Sequence, residues 1–523
     1  MPRRPSRQVY SGQSPKTKDR ASGHGDGGGD SVAERVGIIG GGFSGLLSAY
    51  LLEQLLGEQT EIVILESSAR LGGRMRTSLF ADAGVSYEAG VAEFYDIAGN
   101  PHLRNLIRHL GLETRPLSGT PSFVVGDRVI HDDQALVGLL GARGMDRLRR
   151  FWDHGTALRP PADYAMAGQL QDNDHPWLHR TFEEVLTEID DPLAQWFTAM
   201  QCHSDLATEP SLTSGLFGMD NLLIDHPGYC SMYTVPGGND RLVQALADRV
   251  RSPILRSAPV VSVNADEGRG VRVVFGATDD ASELQVDSLL VTLTPPGLRA
   301  IGWTDAVLQA AVDDHIRHHD HAATYLRVSL LFRERFWRHE FPDDYFVSDA
   351  FGGVTIYDQS PPTGSAGVGV QSWLLGGADA AALSLRPDDE IVAAVLGAMP
   401  KALARADRLL VRACVDRWSG VSGVSGLPGG VPLRPLEQRH SPDPRWPQLQ
   451  LVGDYLYDST LCGALDAVLY AVTRLAERVA PVSETAIPEP SVLFTDTRPH
   501  AGDRVPSSPT AGFFLDERFA GHR

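Results

Sequence analysis

The clearest apolar pattern in the chain opens at Val36-Gly37-Ile38-Ile39 and runs into the glycine cluster Gly40-Gly41-Gly42. It resumes as Leu46, Leu47, Ala49, Tyr50 and Leu51, spaced as on a helix, and a second run, Ile62-Val63-Ile64-Leu65, closes on Glu66. Short continuous runs on either side of a helical stretch predict strand, turn, helix and strand. Farther on, Leu103-Leu106-Ile107-Leu110 and Phe182-Val185-Leu186-Ile189 recur at three and four residues and predict helices. Strand patterns return at Tyr233-Thr234-Val235, Val260-Val261-Ser262-Val263, Val271 to Val274, Ser288 to Leu293, Tyr325 to Phe332, Gly367 to Leu375 and Leu449 to Val452. No apolar run approaches the roughly 20 residues that a membrane-spanning helix needs.

The first turn carries chemistry. Gly40, Gly42 and Gly45 stand at GxGxxG spacing between a strand and a helix, the arrangement that binds a dinucleotide. Gly40 permits the turn, Gly42 lets backbone approach a pyrophosphate, and Gly45 allows close helix packing. The helix N-terminus, with Phe43 and Ser44 in its first turn, offers free N–H groups and positive dipole charge to phosphates. Glu66 stands where a carboxylate accepts from a ribose diol, and its charge disfavours the 2'-phosphate of NADP.

The continuation Glu66-Ser67-Ser68-Ala69-Arg70-Leu71-Gly72-Gly73-Arg74 has no reason to occur in a simple NAD domain. With it, the chain resembles the flavin-containing amine oxidase family, in a superfamily that also holds L-amino-acid oxidases, polyamine oxidases and phytoene desaturases. The resemblance implies an α/β fold: a Rossmann-type FAD-binding domain in three discontinuous segments, with a mixed α+β substrate domain. The implied boundaries are FAD segments at 31–100, 231–300 and 411–480, a helical part of the substrate domain at 101–230 and its sheet part at 301–410. Residues 1–30 read as a disordered extension and 481–523 as a mobile tail.

The resemblance also implies roles. Gly73 and Arg74 lie against FAD, Gly90, Val91 and Ala92 sit in a turn under the flavin ring, and the backbone of Val260 meets the adenine. Asp454 bonds the ribityl chain, and the helix opened by Gly463, Ala464, Leu465 and Ala467 points its positive end at the flavin. Attachment is expected to be non-covalent, because Ser419 to Gly430 contains no cysteine. Many amine oxidases place a lysine in the strand that here reads Arg327-Val328-Ser329-Leu330-Leu331-Phe332, so Arg327 is the catalytic candidate. The chain's lysines, Lys16, Lys18 and Lys401, are all far from that position. Glu93 falls where some L-amino-acid oxidases carry an arginine that grips the substrate carboxylate. The opposite sign tilts the expectation towards a cationic amine, with pairing of Glu93 to Arg74 or Arg76 as the alternative. Tyr357 and Trp418 are pocket-wall candidates.

The expected activity is oxidation of a C–N bond of an amine or amino acid to an imine, with O2 as acceptor. Two alternatives stay open: a desaturase, dehydrogenase or isomerase acting on C–C bonds, and a binding scaffold of the same fold, as in Rab escort and GDP-dissociation proteins. His315, His318, His319 and His321 are read as a connecting loop, and no metal is expected. The remaining composition refines little. A length of 523 residues and 42% hydrophobic content suit a globular enzyme, and the net charge of −19 disfavours nucleic acid and anionic lipid as partners. Cys202, Cys230, Cys414 and Cys462 are scattered, which fits a reducing cytoplasm. The expected partner is a small molecule, and the oligomeric state is open, a homodimer being one option.

Overall fold

A computed structural model describes residues 33–480, apart from 119–121, 167–173, 267–269, 278–279, 320–321, 362–366, 420–423 and 426–433. The extension at 1–30, the tail at 481–523, His321 and most of the 419–430 stretch lie outside the described residues.

Five short strands form an all-parallel sheet in the spatial order Ile254–Leu255, Thr60–Leu65, Glu34–Ile39, Ser288–Val291, Leu449–Leu451. Numbered along the chain this is 3-2-1-4-5, the order of a doubly wound sheet, and the strand order reverses between the first and fourth strands. The helix Phe43–Leu56 and the long helix Leu461–Val479 pack together beside this sheet. Being covered by sheet and helices at once, Phe43–Leu56 buries residues all round, including Leu46, Leu47, Leu51 and Leu52. A four-stranded sheet, Ser282–Val286, Gly270–Phe275, Val260–Asp266 and Gly302–Trp303, accompanies it.

A second, seven-stranded sheet runs in the order Leu410–Trp418, Tyr325–Phe332, Gly369–Leu375, Val354–Asp358, Tyr345–Ser348, Ser122–Val125, Arg128–Ile130. Its middle strands are buried along almost their whole length, which explains why they read as unbroken apolar runs. Helices Gly377–Ser384, Asp388–Gly397 and Pro192–Leu206 pack against it.

Two expected boundaries move. The strand Leu410–Trp418 pairs antiparallel with Tyr325–Phe332, setting Trp418 opposite Tyr325, so the substrate sheet reaches 418 and the 411 boundary falls inside one of its strands. The nominally helical 101–230 stretch contributes the hairpin Ser122–Val125 and Arg128–Ile130 to the same sheet. The histidine cluster is also no loop: His315, His318 and His319 end the helix Ala306–His319, with His315 and His319 buried one turn apart. Leu308, Val312, His315, Ile316 and His319 form one buried stripe on that helix, so the two histidines continue an apolar face that their polarity concealed. Among the described residues no helix is long and apolar enough to cross a membrane, and the four cysteines are unbridged.

Candidate active site

A cavity of about 410 Å³ opens at the carboxyl ends of the parallel strands, at the point where strand order reverses, and extends to the face of the seven-stranded sheet. Gly40 leaves the first strand with φ of 110°, and a Cβ there would stand 2.4 Å from Thr292 Oγ1. A Cβ on Gly45 would stand 1.9 Å from the carbonyl oxygen of Gly40. Gly42 differs: the nearest atom to a Cβ on it would be Gly73 Cα at 3.7 Å, and its open side is cavity. No side chain caps the helix that starts at Phe43 and no acidic residue occupies its first turn, so its leading N–H groups remain for a ligand. Phe43 and Ser44 line the cavity.

Glu66 is fixed at the cavity edge by accepting from the amides of Gly41 at 2.7 Å and Ser68 at 2.8 Å, and Ser67 lines the cavity beside it. Arg70 donates to the carbonyls of Leu71 and Gly73, holding the loop that carries Arg74. Arg74 and Asp454, expected as two separate contacts to the cofactor, form a bidentate pair with both N–O distances 2.8 Å, joining chain segments 380 residues apart on one wall.

The turn Ala89–Glu93 is pinned from three sides. Ala89 and Gly90 donate to Arg76 O, Asn239 Nδ2 donates to the carbonyls of Val91 and Ala92, and Trp418 Nε1 donates to Ala89 O at 2.6 Å. A Cβ on Gly90 would stand 2.0 Å from Arg74 O, so this turn tolerates glycine only. Asn239, fully buried, escaped sequence reasoning, although the Gly237-Gly238-Asn239 turn after a strand was its signal. Burial pushes the carboxyl of Glu88 up to about 7, against donation from the Asn239 amide and the Thr77 hydroxyl.

Ala464 lines the cavity, whereas Gly463, Leu465 and Ala467 do not. Gly463 packs on the Asp458 turn, where a Cβ would meet Asp458 O at 2.7 Å, and Leu465 and Ala467 belong to the core. Thr460 caps this helix by accepting from the amides of Cys462 and Gly463. Val260 also lies away from the cavity lining, half-buried at the start of its strand.

The substrate sheet supplies the other end. Arg327, 3% exposed, lines the cavity between Asp416 and Leu374 on the flanking strands. Its Nη1 donates to Ser372 Oγ at 3.2 Å, and its guanidinium lies 5.6 Å from the ring centre of Tyr357, which itself stands behind the cavity lining. Arg76 pairs with Asp416 and Arg74 with Asp454, so neither is the partner of Glu93. Tyr95 donates to Glu93 Oε1 at 3.1 Å, while the buried Oε2 has no hydrogen-bond partner. Burial pushes the Glu93 carboxyl up, and the charge of Arg327 together with the tyrosine hydroxyls pulls it partly back. Asp205, which sequence reasoning missed, lines the same end, its carboxyl held well above the usual range by burial and by Asp225 and Glu93. Its helix reads as core, and nothing local in the sequence marks it as facing a cavity.

Behind Asp454, the neighbouring Tyr455 meets His315 and His319, whose rings lie 4.5 Å apart, and His440 bonds Tyr457. Among the described residues no group of three side chains could hold a metal ion.

A parallel sheet with a glycine turn at its switch point, joined to a mixed sheet across one shared cavity, defines a dinucleotide-dependent oxidoreductase with a separate substrate half. The family model for flavin-containing amine oxidoreductases matches residues 43–479, and the chain belongs to that family and is an FAD-dependent oxidoreductase. It is 25% identical over 485 residues to a flavin-dependent L-tryptophan oxidase of Lentzea aerocolonigenes, covering 84% of this chain and 98% of the relative. Cyclohexylamine oxidase from Brevibacterium oxydans IH-35A superposes with a TM-score of 0.65 at 20% identity, over 86% of this chain and 100% of that one. Putrescine oxidase bound to putrescine gives 0.63 at 16% identity, over 85% and 99%. At those identities the two structures establish the fold alone.

Proposed function

We propose that this protein oxidises the C–N bond of an amine or amino acid to an imine with O2 as acceptor. The amine loses one hydrogen from carbon and one from nitrogen, and O2 gains both to become hydrogen peroxide. The observation that carries this reading is the single cavity that runs from the glycine turn and Glu66 to Arg327, Glu93 and Trp418. One end has what a non-covalently held FAD needs: a bare helix N-terminus for phosphates, an anchored carboxylate at Glu66 for a ribose, and open space over Gly42 that a Cβ would fill. The flavin, when bound, supplies the two-electron acceptor. The protein's own part is positioning: Arg74 and Asp454 brace the wall, Asn239 and Trp418 fix the Ala89–Glu93 turn, and the buried aromatic surroundings exclude water. Arg327 favours amino acids as a second substrate reading, since its fork can grip a carboxylate.

The test is anaerobic mixing of the purified flavoprotein with amines, amino acids, a polyene and a cyclic ketone, followed by flavin absorbance. Bleaching by amines or amino acids, with peroxide release on admitting air, is expected. Bleaching by the polyene or ketone alone assigns the protein to C–C chemistry instead.

A further inference from the structure

We propose that Glu88, which stands outside the cavity lining, is a positioning residue for the cavity: as a carboxylate it locks the Ala89–Glu93 turn through Asn239, and a proton on it loosens that lock. The proposal rests on flavin occupying the cavity and holds for amine and C–C chemistry alike.

Glu88 ends the strand Val85–Glu88, opposite Thr77 on the strand Thr77–Phe80, and the turn follows it directly. Its amide donates to Gln359 Oε1 at 2.9 Å, just beyond the strand Val354–Asp358 of the substrate sheet. Its carboxylate grips two other segments: Oε1 accepts from the Asn239 amide at 2.9 Å and Oε2 from the Thr77 hydroxyl at 2.8 Å. Asn239 then turns its side chain on the turn, Nδ2 donating to Val91 O at 3.1 Å and to Ala92 O at 2.8 Å. Gly90, Val91, Ala92 and Glu93 all line the cavity, so one carboxylate fixes a stretch of its wall through one asparagine. The loop has little slack, since a Cβ on Gly238, at φ of 118°, would stand 2.6 Å from Thr77 Oγ1.

The charges acting on Glu88 are Asp240, beside Asn239, which favours a proton, and Arg327, on the substrate sheet, which opposes one. Arg76, next to Thr77, is paired with Asp416. Burial outweighs the two donors and sets the carboxyl at about 7, so both forms are populated near neutrality. A proton is best placed on Oε2, because the Thr77 hydroxyl can turn and the main-chain N–H of Asn239 cannot. Thr77 Oγ1 already accepts from the Asp240 amide at 3.2 Å, so accepting from Glu88 as well leaves its own hydrogen without the carboxylate. The Asn239 amide exchanges a charged acceptor for a neutral and weaker one. Both changes fall on the Thr77–Glu88–Asn239 chain that holds the turn.

The experiment follows the visible absorbance and circular dichroism of the bound flavin in the substrate-free wild-type protein between about pH 5.5 and 8.5. A transition centred at about 7 is expected. Glu88→Gln should lack it and show the low-pH spectrum throughout, because glutamine keeps an acceptor for Asn239 and, like the protonated acid, carries a donor. Thr77→Val, which removes one donor to the carboxylate, should move the transition up by about one pH unit. The two variants are read independently, so either one suffices if the other does not fold. A spectrum that stays flat in the wild type, a transition that persists in Glu88→Gln, or one unmoved in Thr77→Val overturns the proposal. Titration of Glu93, Asp205 or Asp225, whose carboxyls are also raised, would persist in Glu88→Gln and is recognised that way. A flat spectrum with a flavin that amines still bleach removes the role of Glu88 and leaves amine oxidation intact. A transition carried by Glu88 in a flavoprotein that no amine bleaches keeps that role and removes amine oxidation.

Discussion

Arg327 concentrates most of the electrostatics of the substrate end in one side chain. It is buried, donates to Ser372, lies beside the ring of Tyr357, and its charge acts on Glu88, on Glu93 and, after that of Arg76, on Asp416. Replacing it with methionine roughly keeps volume and removes the charge, which leaves the buried carboxyls of Glu88 and Glu93 without the cation that opposes their desolvation. Breaking a buried charge arrangement by removing one partner costs about 3–5 kcal/mol. Arg327→Met is therefore expected to lose about 3 kcal/mol at pH 8, measured by denaturant unfolding. The sign of the pH dependence follows from the carboxyls: their folded-state values, raised already for Glu88 and Glu93, rise further without the arginine. Groups raised in the folded state contribute stability at low pH that disappears as pH rises through the folded value. The deficit should thus shrink at pH 5.5, and an equal deficit at both values would show that Arg327 acts through packing alone.

The strand–turn–helix element separates a folding role from a binding role within six residues. A methyl on Gly45 meets the Gly40 carbonyl at 1.9 Å, whereas one on Gly42 finds its nearest neighbour at 3.7 Å and otherwise projects into the cavity. Gly45→Ala should cost about 3 kcal/mol through overpacking against backbone. Gly42→Ala should cost about 1 kcal/mol or less, as expected at an N-cap position, yet weaken FAD binding at least about tenfold. Melting of the apoprotein and flavin titration of both variants distinguish the two, and equal loss of stability would remove the assignment of Gly42 to the cofactor. Elements of this kind are legible in sequence because their determinants are local: the glycine spacing, the run before Glu66 and the strand around Arg327 each fall where periodicity puts them. The Arg74–Asp454 pair, the Asn239 clamp, Asp205 and the membership of Leu410–Trp418 in the substrate sheet were not legible. Each depends on which distant segments lie side by side, and residue spacing carries no signal for that. Gly463, Leu465 and Ala467 show the converse: the helix begins at the cavity wall, yet of the four residues named on it only Ala464 lines the cavity.

Across the whole molecule, two buried sets of titrating groups oppose each other. Burial and nearby positive charge hold His315 and His440 down to about 3 and His319 well below its ordinary value, so the folded protein keeps all three neutral where the unfolded chain takes up protons. A depressed histidine contributes stability at pH above about 6.5 that is lost as pH falls towards its folded value. Glu88, pushed up to about 7, and the raised Glu93 and Asp205 act in the reverse direction, losing stability as pH rises from about 4.5 towards neutrality. Between about pH 4.5 and 6.5 the slopes subtract, and a wild-type stability profile hides both. His315→Gln exposes one of them. Glutamine keeps a donor for the Tyr455 hydroxyl, which His315 Nε2 meets at 3.3 Å, and removes the group that the unfolded chain would protonate. Each proton taken up only by the unfolded chain contributes about 1.4 kcal/mol per pH unit to the slope. The stability of His315→Gln relative to wild type is therefore expected to improve by about that amount for every unit between pH 6 and pH 4. The surface charge is common to both proteins and cancels in the difference, as do the three carboxyls. Parallel profiles for the two proteins, measured by urea unfolding across that range, would mean that the imidazole is protonated in the folded protein and that the pocket behind Asp454 is wetter than its packing indicates.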